Sequence, residues 1–185
     1  MSRHSGFIAL TTMLLSLAPL ACHAGAPTLA APDTMRLTSP GITPGQLIPA
    51  QFACGGADVS PMLQWTRPPA GTRSQVLMLT DPDAPFGTFT HWILYDLPPT
   101  TTALSADLAA NAQLPNGSMQ ARNDAHTVGY FGPCPPGHST HRYIFHVYAL
   151  NTRLPLAPGA KKQRVLQAMQ GHLLAQGKLV APYHR

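Results

Sequence analysis

Two acidic residues directly follow a strand-like segment of the sequence. Residues 75–80 form a largely apolar run, and the rigid segment Asp81-Pro82-Asp83-Ala84-Pro85 ends it. In an extended chain, residues two apart point the same way, so the carboxylates of Asp81 and Asp83 share one side. A carboxylate there can orient a histidine or meet a cationic amine. The structural alternative is a turn, because Asp before Pro is usually a turn former.

Two histidines open the next strand-like segments. His91 begins one apolar run, and His141 begins the run 141–150, with Tyr143 on the same side. Imidazole and phenol groups can hydrogen-bond to a phosphate-like anion. Taken singly, each is more often a surface or core residue, but with the two Asp they could converge in one polar pocket. The Pro- and Gly-rich loop 129–137 lies just upstream of His141, and its backbone amides could also meet an anion.

The composition excludes several classes of protein. The chain has 185 residues, of which 10% are charged and 20 are Pro, and its formal net charge is +5. Typical globular domains have about 25% charged residues and about 5% Pro. A disordered charged chain needs more charge, and a helical bundle cannot hold so much Pro. The basic residues are scattered apart from the group at 161–164, so we expect no nucleic-acid partner.

The N-terminus has the pattern of a secretory signal. Basic residues precede an apolar run of about 14 residues, and small residues follow it. The run is shorter than the roughly 20 residues that a spanning helix needs, so we expect cleavage after residue 24 and no integral membrane segment afterwards. Residues 25–34 are then a flexible Ala/Pro-rich lead-in, and 35–185 are a single domain. The mature protein is expected to be periplasmic or secreted, with lipoprotein anchoring at Cys22 as a minor alternative.

Cleavage would leave two cysteines, Cys54 and Cys134. In an oxidising compartment these two residues are a candidate disulfide. The closed loop of about 80 residues would stabilise the fold by on the order of 4 kcal/mol. The alternative is two separate thiols.

The remaining pattern predicts a mainly β protein with a helical tail. Besides the runs 75–80, 91–97 and 141–150, short strand candidates occur around residues 35–37, 46–52, 63–65 and 179–183. Near-continuous apolar strands indicate a central sheet that is covered on both faces. Residues 161–176 have helical spacing of apolar residues, and Gly177 is a plausible cap at the end of that helix.

Several ordered motifs resemble those of the phosphatidylethanolamine-binding protein family, in its bacterial Raf-kinase-inhibitor-like branch. The matching segments are residues 60–65, 69–74, 81–85, 91–92, 132–136, 141–143 and 147–150, and 171–180 is similar to the family's final helix and strand. The resemblance covers residues 35–185. One departure is Asp58, which stands where bacterial relatives usually have Asn.

The resemblance implies an antiparallel β-sandwich, in which a large central sheet packs against a smaller one and a C-terminal α-helix lies beside an anion pocket. Carried onto this sequence, the ligand-binding residues would be Asp81, Asp83, His91, Gly132, Pro133, His141 and Tyr143. Pro85 and Pro136 would shape the rim.

The function that these residues favour is non-catalytic binding of a small phosphate-containing or other anionic ligand, such as a phospholipid head group. Two close carboxylates beside an anion do not both ionise easily, so we expect one of them to have a raised pKa. We expect no cofactor and no metal, because no metal-spaced His pair occurs. One alternative is an envelope or secreted regulator of an unidentified protein partner, similar to a kinase or hydrolase inhibitor. A second is a weak phosphoester hydrolase that uses the Asp/His pocket.

Overall fold

The computed structural model describes Met1 and residues 29–185, so the predicted signal segment and Cys22 lie outside the described residues. Two antiparallel sheets make up the fold, a small one in the order β1-β2-β5 and a large one in the order β6-β4-β3-β7-β8. The strands are β1 (Leu37–Thr38), β2 (Leu63–Trp65), β3 (Ser74–Asp81), β4 (Phe89–Leu97), β5 (Ala103–Leu104), β6 (Met119–Gln120), β7 (His141–Leu150) and β8 (Leu173–Tyr183). One helix, α1 (Lys162–Met169), precedes β8. The predicted mainly β sandwich with a C-terminal helix is confirmed.

Both faces of the large sheet are buried, as the near-continuous apolar strands predict. Leu77 and Phe145 belong to the core between the two sheets, whereas Met78 and Tyr148 belong to a second core beneath α1. Fully burying one such apolar side chain contributes about 1.5–3 kcal/mol, so β3 and β7, with apolar residues on both faces, form the stable centre of the fold. No helix in the described part of the chain is long and apolar enough to cross a membrane.

The helix is shorter than the predicted range of residues 161–176. It ends at Met169, and Gly171 turns the chain with φ +75°. Residues 173–176 continue as β8 because they pair with β7, and Gly177 lies within that strand rather than capping the helix. The helix covers the face of the large sheet opposite the small one, and its first residue, Lys162, lines a hollow together with Pro85 and Phe89. Its expected position beside the pocket stays a prediction.

The N-terminal segment lies along β8. Gln176 donates its backbone N–H to Pro32 O, and Met35 donates its N–H to Gln176 O, both at 2.9 Å. A Cβ at Gly177 would stand 2.1 Å from Met35 O, so only glycine permits this approach. Residues 31–35, from the predicted lead-in and first strand, are therefore hydrogen-bonded to β8 at this edge of the sheet.

The strand candidate at 46–52 is wrong. Residues Ala50–Phe52 form a short 3₁₀ helix that follows Pro49. Its closing bonds run from Phe52 N–H to Pro49 O and from Ala53 N–H to Ala50 O, both at 3.0 Å. This turn places Cys54 and Asp58 against the loop that precedes β7.

Candidate functional site

Four of the predicted site residues meet at one edge of the large sheet. Asp81 ends β3, while His91 lies near the start of β4 and His141 and Tyr143 lie at the start of β7. These strands are antiparallel neighbours, so the end of β3 and the starts of the other two strands share an edge. All four residues are buried, with no more than 5% of each exposed.

A β-bulge directs His91 into the site. In the pairing of β3 with β4, Leu79 faces Trp92 while Thr80 faces Thr90, so His91 is an extra residue in its strand. Strict alternation would put His91 on the helix-covered face with Ile93. The bulge turns the ring to the other face, where it packs edge-on against Tyr143 with 5.2 Å between ring centroids. Sequence reasoning placed His91 in the site but missed the bulge that puts it there.

Asp81 orients His141. One carboxylate oxygen of Asp81 accepts the Nδ1–H of His141 at 2.7 Å, and the other accepts the backbone N–H of Asp83 at 2.9 Å. The other ring nitrogen of His141 is 3.3 Å from Ser139 Oγ, whose hydroxyl donates to Pro136 O at 2.9 Å. A hydroxyl has one hydrogen, so while Ser139 donates to Pro136 O its oxygen can only accept from Nε2 of His141, which requires a proton on that ring nitrogen.

His91 is held as a neutral ring. Its Nδ1–H donates to Phe131 O at 3.0 Å, and its ring stacks on the Phe131 ring with 5.5 Å between centroids. Burial of the ring lowers the pKa of His91, because the charged form loses its hydration. At neutral pH Nε2 is therefore an acceptor, and it becomes a donor only when His91 takes up a proton.

Tyr143 supplies a hydroxyl that stays protonated. Its side chain is fully buried, and its oxygen accepts the backbone N–H of Cys134 at 3.2 Å. Burial raises the pKa of Tyr143 further above the ordinary value of a phenol. The hydroxyl therefore keeps its hydrogen at neutral pH, with the Asp81 carboxylate nearby as an acceptor.

Asp83 does not join these groups. Its carboxylate accepts bonds from the backbone N–H of Arg142 at 2.8 Å and from the guanidinium at 2.6 and 2.9 Å. These hydrogen bonds to Arg142 lower the pKa of Asp83 to about 2. Asp83 is therefore not the carboxylate with the expected raised pKa, and it ties the end of β3 to β7 instead of lining the cavity.

The loop before β7 is bound to the segment that follows the 3₁₀ helix. Cys54 and Cys134 form a disulfide with 5.4 Å between Cα atoms, as predicted. The backbone N–H of Cys54 donates to Pro133 O at 3.2 Å, and the Tyr130 hydroxyl donates to Phe52 O at 2.7 Å. Pro133 therefore anchors the loop, and it does not line the cavity.

Close packing requires glycine at position 132. Its N–H donates to Asp58 Oδ1 at 2.7 Å, and a Cβ there would stand 2.3 Å from Phe52 O. Sequence reasoning noted Asp58 only as a departure, although its carboxylate anchors the loop. Partial burial raises the pKa of Asp58, and Asp58 adopts a φ of +54°, a conformation that Asn also tolerates.

Three backbone amides of this loop already donate to acceptors within the protein. Phe131 N–H donates to His91 O at 3.3 Å, Gly132 N–H to Asp58, and Cys134 N–H to Tyr143. Pro133, like the other prolines of the loop, has no N–H. The N–H groups of Phe131, Gly132 and Cys134 thus have acceptors within the protein, and the expectation that an amide of this loop meets an anion stays a prediction for its other N–H groups.

A small cavity opens beside these groups. Its volume is about 170 Å³, and it is lined by Asp81, Ala84, Pro85, Phe89, His91, Phe131, Cys134 and Pro136. His141 and Tyr143 are not in this lining, but His141 bonds Asp81 and Tyr143 packs against His91. Pro85 and Pro136 thus lie in its wall, at the places predicted for a rim. Pockets for drug-sized ligands usually have about 300–1,000 Å³, so this one suits a small anion or head group rather than an acyl chain.

Known proteins resemble the chain over most of its length. The model of the phosphatidylethanolamine-binding protein family matches residues 38–184. A UPF0098 protein of Methanothermobacter thermautotrophicus is 46% identical over 138 residues, which cover 75% of this chain and 91% of the relative. A Mycobacterium tuberculosis relative, LppC, named as a candidate lipoprotein, is 38% identical over 83% of this chain and 74% of its own length.

A solved structure agrees with the fold as well. The crystal structure of a candidate phosphatidylethanolamine-binding protein homolog from Chlamydia trachomatis superposes with a TM-score of 0.74 at 35% identity. The match covers 83% of this chain and 99% of the Chlamydia chain. The family model includes the three strands that carry Asp81, His91 and His141. The chain belongs to the phosphatidylethanolamine-binding protein family.

Proposed function

We propose that the protein is an exported, non-catalytic binder of small phosphate-containing or other anionic groups. The observation that supports this most strongly is a cavity of about 170 Å³ beside a buried Asp81–His141 pair, His91 and Tyr143. Buried polar side chains at the wall of a small cavity are an ordinary arrangement for fixing a ligand.

The anion would be held by three side-chain donors. Nε2 of His141, when it carries a proton, would donate one hydrogen bond to a ligand oxygen, and the hydroxyl of Tyr143 would donate another. His91 would add a third donor on protonation, and a bound anion favours the charged ring, so binding takes up a proton at His91. Asp81 keeps His141 oriented and can meet the ammonium of a ligand such as phosphoethanolamine.

Three observations support export. The N-terminal sequence has the pattern of a secretory signal, and the Cys54–Cys134 disulfide belongs to an oxidising compartment. LppC is named as a candidate lipoprotein, which is consistent with a place outside the cytoplasm for this chain as well. We propose a periplasmic or secreted location.

The purified protein is expected to bind phosphoethanolamine with selective changes in the NMR signals of two histidines. At pH 6, titration should shift the ring signals of His91 and His141. The variant His141→Ala should bind about tenfold or more weakly, because one hydrogen bond to a charged group contributes roughly 1.5–3 kcal/mol. The matched control is His172→Ala, because this ring hydrogen-bonds to Asn151 away from the cavity. Shifts confined to residues other than His91 and His141 would contradict the proposal.

A weak phosphoester hydrolase is a second candidate, favoured by the Ser139–His141–Asp81 contacts. The hydroxyl of Ser139, however, donates to Pro136 O, so it does not present its hydrogen to His141 as an activated nucleophile would. We therefore expect no saturable turnover of aryl phosphomonoesters or diesters, with or without a chelator. Turnover that His91→Ala abolishes would overturn the non-catalytic assignment. Regulation of a protein partner stays a prediction, to be tested by co-purification from an envelope extract.

A further inference from the structure

A second concave site, lined by basic side chains, lies beside the start of α1. This basic cleft is defined by Arg122, Asn123, Asp124, His126, Lys161, Lys162 and Gln163, and its volume is about 340 Å³. None of its residues lines the cavity beside His91. In the sequence, Arg122 is far from the basic group at 161–164, so only the fold shows that they share a surface.

Backbone pairing brings two like charges together. Arg122 donates its N–H to Ala160 O at 2.9 Å, and a parallel bridge sets Arg122 opposite Lys161. Both side chains are exposed and line the same cleft. Two adjacent cations repel each other unless a counterion lies between or near them.

The described residues provide no carboxylate for these two cations. Asp124 is the only acid that lines the cleft, and its Oδ2 already accepts the ammonium of Lys162 and the N–H of Thr90. Neither Arg122 nor Lys161 belongs to any of the ion pairs among residues 29–185. With no acidic residue in the first turn of α1, the cleft keeps two uncompensated positive charges.

The frame of the cleft is rigid on the side of His126. Asn123 is 3% exposed, and its amide donates to Thr127 Oγ1 at 2.9 Å and to His91 O at 3.2 Å. Its Oδ1 accepts the N–H of Thr127 at 3.0 Å. This closed turn holds His126 at φ +63°, with its exposed ring in the lining of the cleft. Arg122, His126 and Lys161 therefore surround one space from fixed backbone positions.

We propose that the basic cleft is a second anion site, which binds the dianionic group of a phosphomonoester through Arg122 and Lys161 with His126 beside them. A guanidinium donates two parallel hydrogen bonds to phosphate oxygens, and an ammonium adds a point charge. The site is separate from the cavity beside His91 and does not depend on the function proposed for that cavity.

The test is a titration of ¹⁵N-labelled protein with inorganic phosphate, against sodium chloride of equal ionic strength and at constant pH. Backbone amide signals of Arg122, His126 and Lys161 are expected to shift saturably. In the double variant Arg122→Ala/Lys161→Ala, the apparent Kd of these shifts should rise by about tenfold, because two exposed charge contacts are lost. The control Arg36→Ala/Arg67→Ala removes the same charge from two exposed arginines that do not line the cleft, and it should bind like the wild type.

A second experiment, with lipid vesicles, distinguishes a lipid phosphomonoester from a free phosphate as the ligand. Co-sedimentation with phosphatidylcholine vesicles that contain phosphatidic acid tests a lipid phosphomonoester. Binding in either arm that the double variant loses and the control variant keeps supports the site, and the arm identifies the source. Shifts confined to His91 and His141, or binding that the double variant retains in both arms, would overturn it. Failure at His91 with retained shifts at His126 would instead refute only the function proposed for the first cavity.

Discussion

Replacement of Cys54 and Cys134 together by serine is expected to lower the free energy of unfolding by about 4 kcal/mol. The disulfide joins residues 80 apart, and closing so long a loop restricts the unfolded chain strongly. The measurement is urea unfolding of the oxidised wild type and of the double variant, monitored by tryptophan fluorescence. The midpoint should fall, and the free energy of the variant should depend more steeply on urea, because its unfolded chain is less compact.

A reductant supplies the internal control. Wild-type protein in dithiothreitol should unfold near the midpoint of the double variant, and the double variant itself should not respond to the reductant. Equal midpoints for the oxidised wild type and the variant would show that the bridge does not stabilise the fold. Asp58 still holds Gly132 and the Tyr130 hydroxyl still bonds Phe52 O in the variant, so we expect it to keep its affinity for phosphoethanolamine within a few-fold.

Acidification from pH 7 to pH 4 is expected to destabilise the wild type, and His146→Gln should remove much of that loss. His146 lies on β7 and lines a hollow of about 340 Å³ beneath α1. Burial, with a smaller contribution from the Lys178 ammonium, lowers the pKa of His146 to about 4, while Asp33 acts in the opposite direction. The unfolded chain, with a pKa near 6.5, binds the proton first, so stability is full above pH 6.5 and falls as the pH drops toward 4.

The lowered pKa of His146 sets an upper limit to the stability that acidification removes. A pKa change from the ordinary 6.5 to about 4 corresponds to a loss of up to about 3 kcal/mol. His91, whose pKa is also lowered by burial, should leave the variant with a remaining slope of the same sign. Thermal unfolding at pH 7, 5.5 and 4 measures the loss of stability in the wild type and in His146→Gln. The control is His184→Gln, which replaces an exposed histidine. A variant that loses as much stability as the wild type would refute a role for His146.

The central strands could be predicted because their local pattern and their packing agree. The runs 75–80 and 141–150 match β3 and β7 closely, since both are apolar on two faces and bounded by Pro or polar residues. The tail could not be predicted, because residues 173–176 continue the helical spacing of α1. Pairing with β7 overrides that local preference, and Gly177 serves the approach of Met35 instead of a helix end.

The site shows the same limit at the level of single residues. The sequence placed Asp81, His91, His141 and Tyr143 together, because each stands where a neighbouring strand begins or ends. It could not show that Arg142 binds the carboxylate of Asp83 and keeps it out of the cavity, since residues that lie 59 positions apart form no local pattern. The sequence could not show the acceptors of the Phe131, Gly132 and Cys134 amides for the same reason.

The disulfide also decides which parts of the site remain joined if the chain is cut. Phe86 is fully exposed in the turn between β3 and β4, and such turns are preferred targets of proteases. A single cut there separates Asp81 from His91 along the chain. Both fragments contain one cysteine of the bridge, so they remain one covalent molecule. In an environment rich in proteases, the two halves of the cavity wall would therefore stay held together after the first nick.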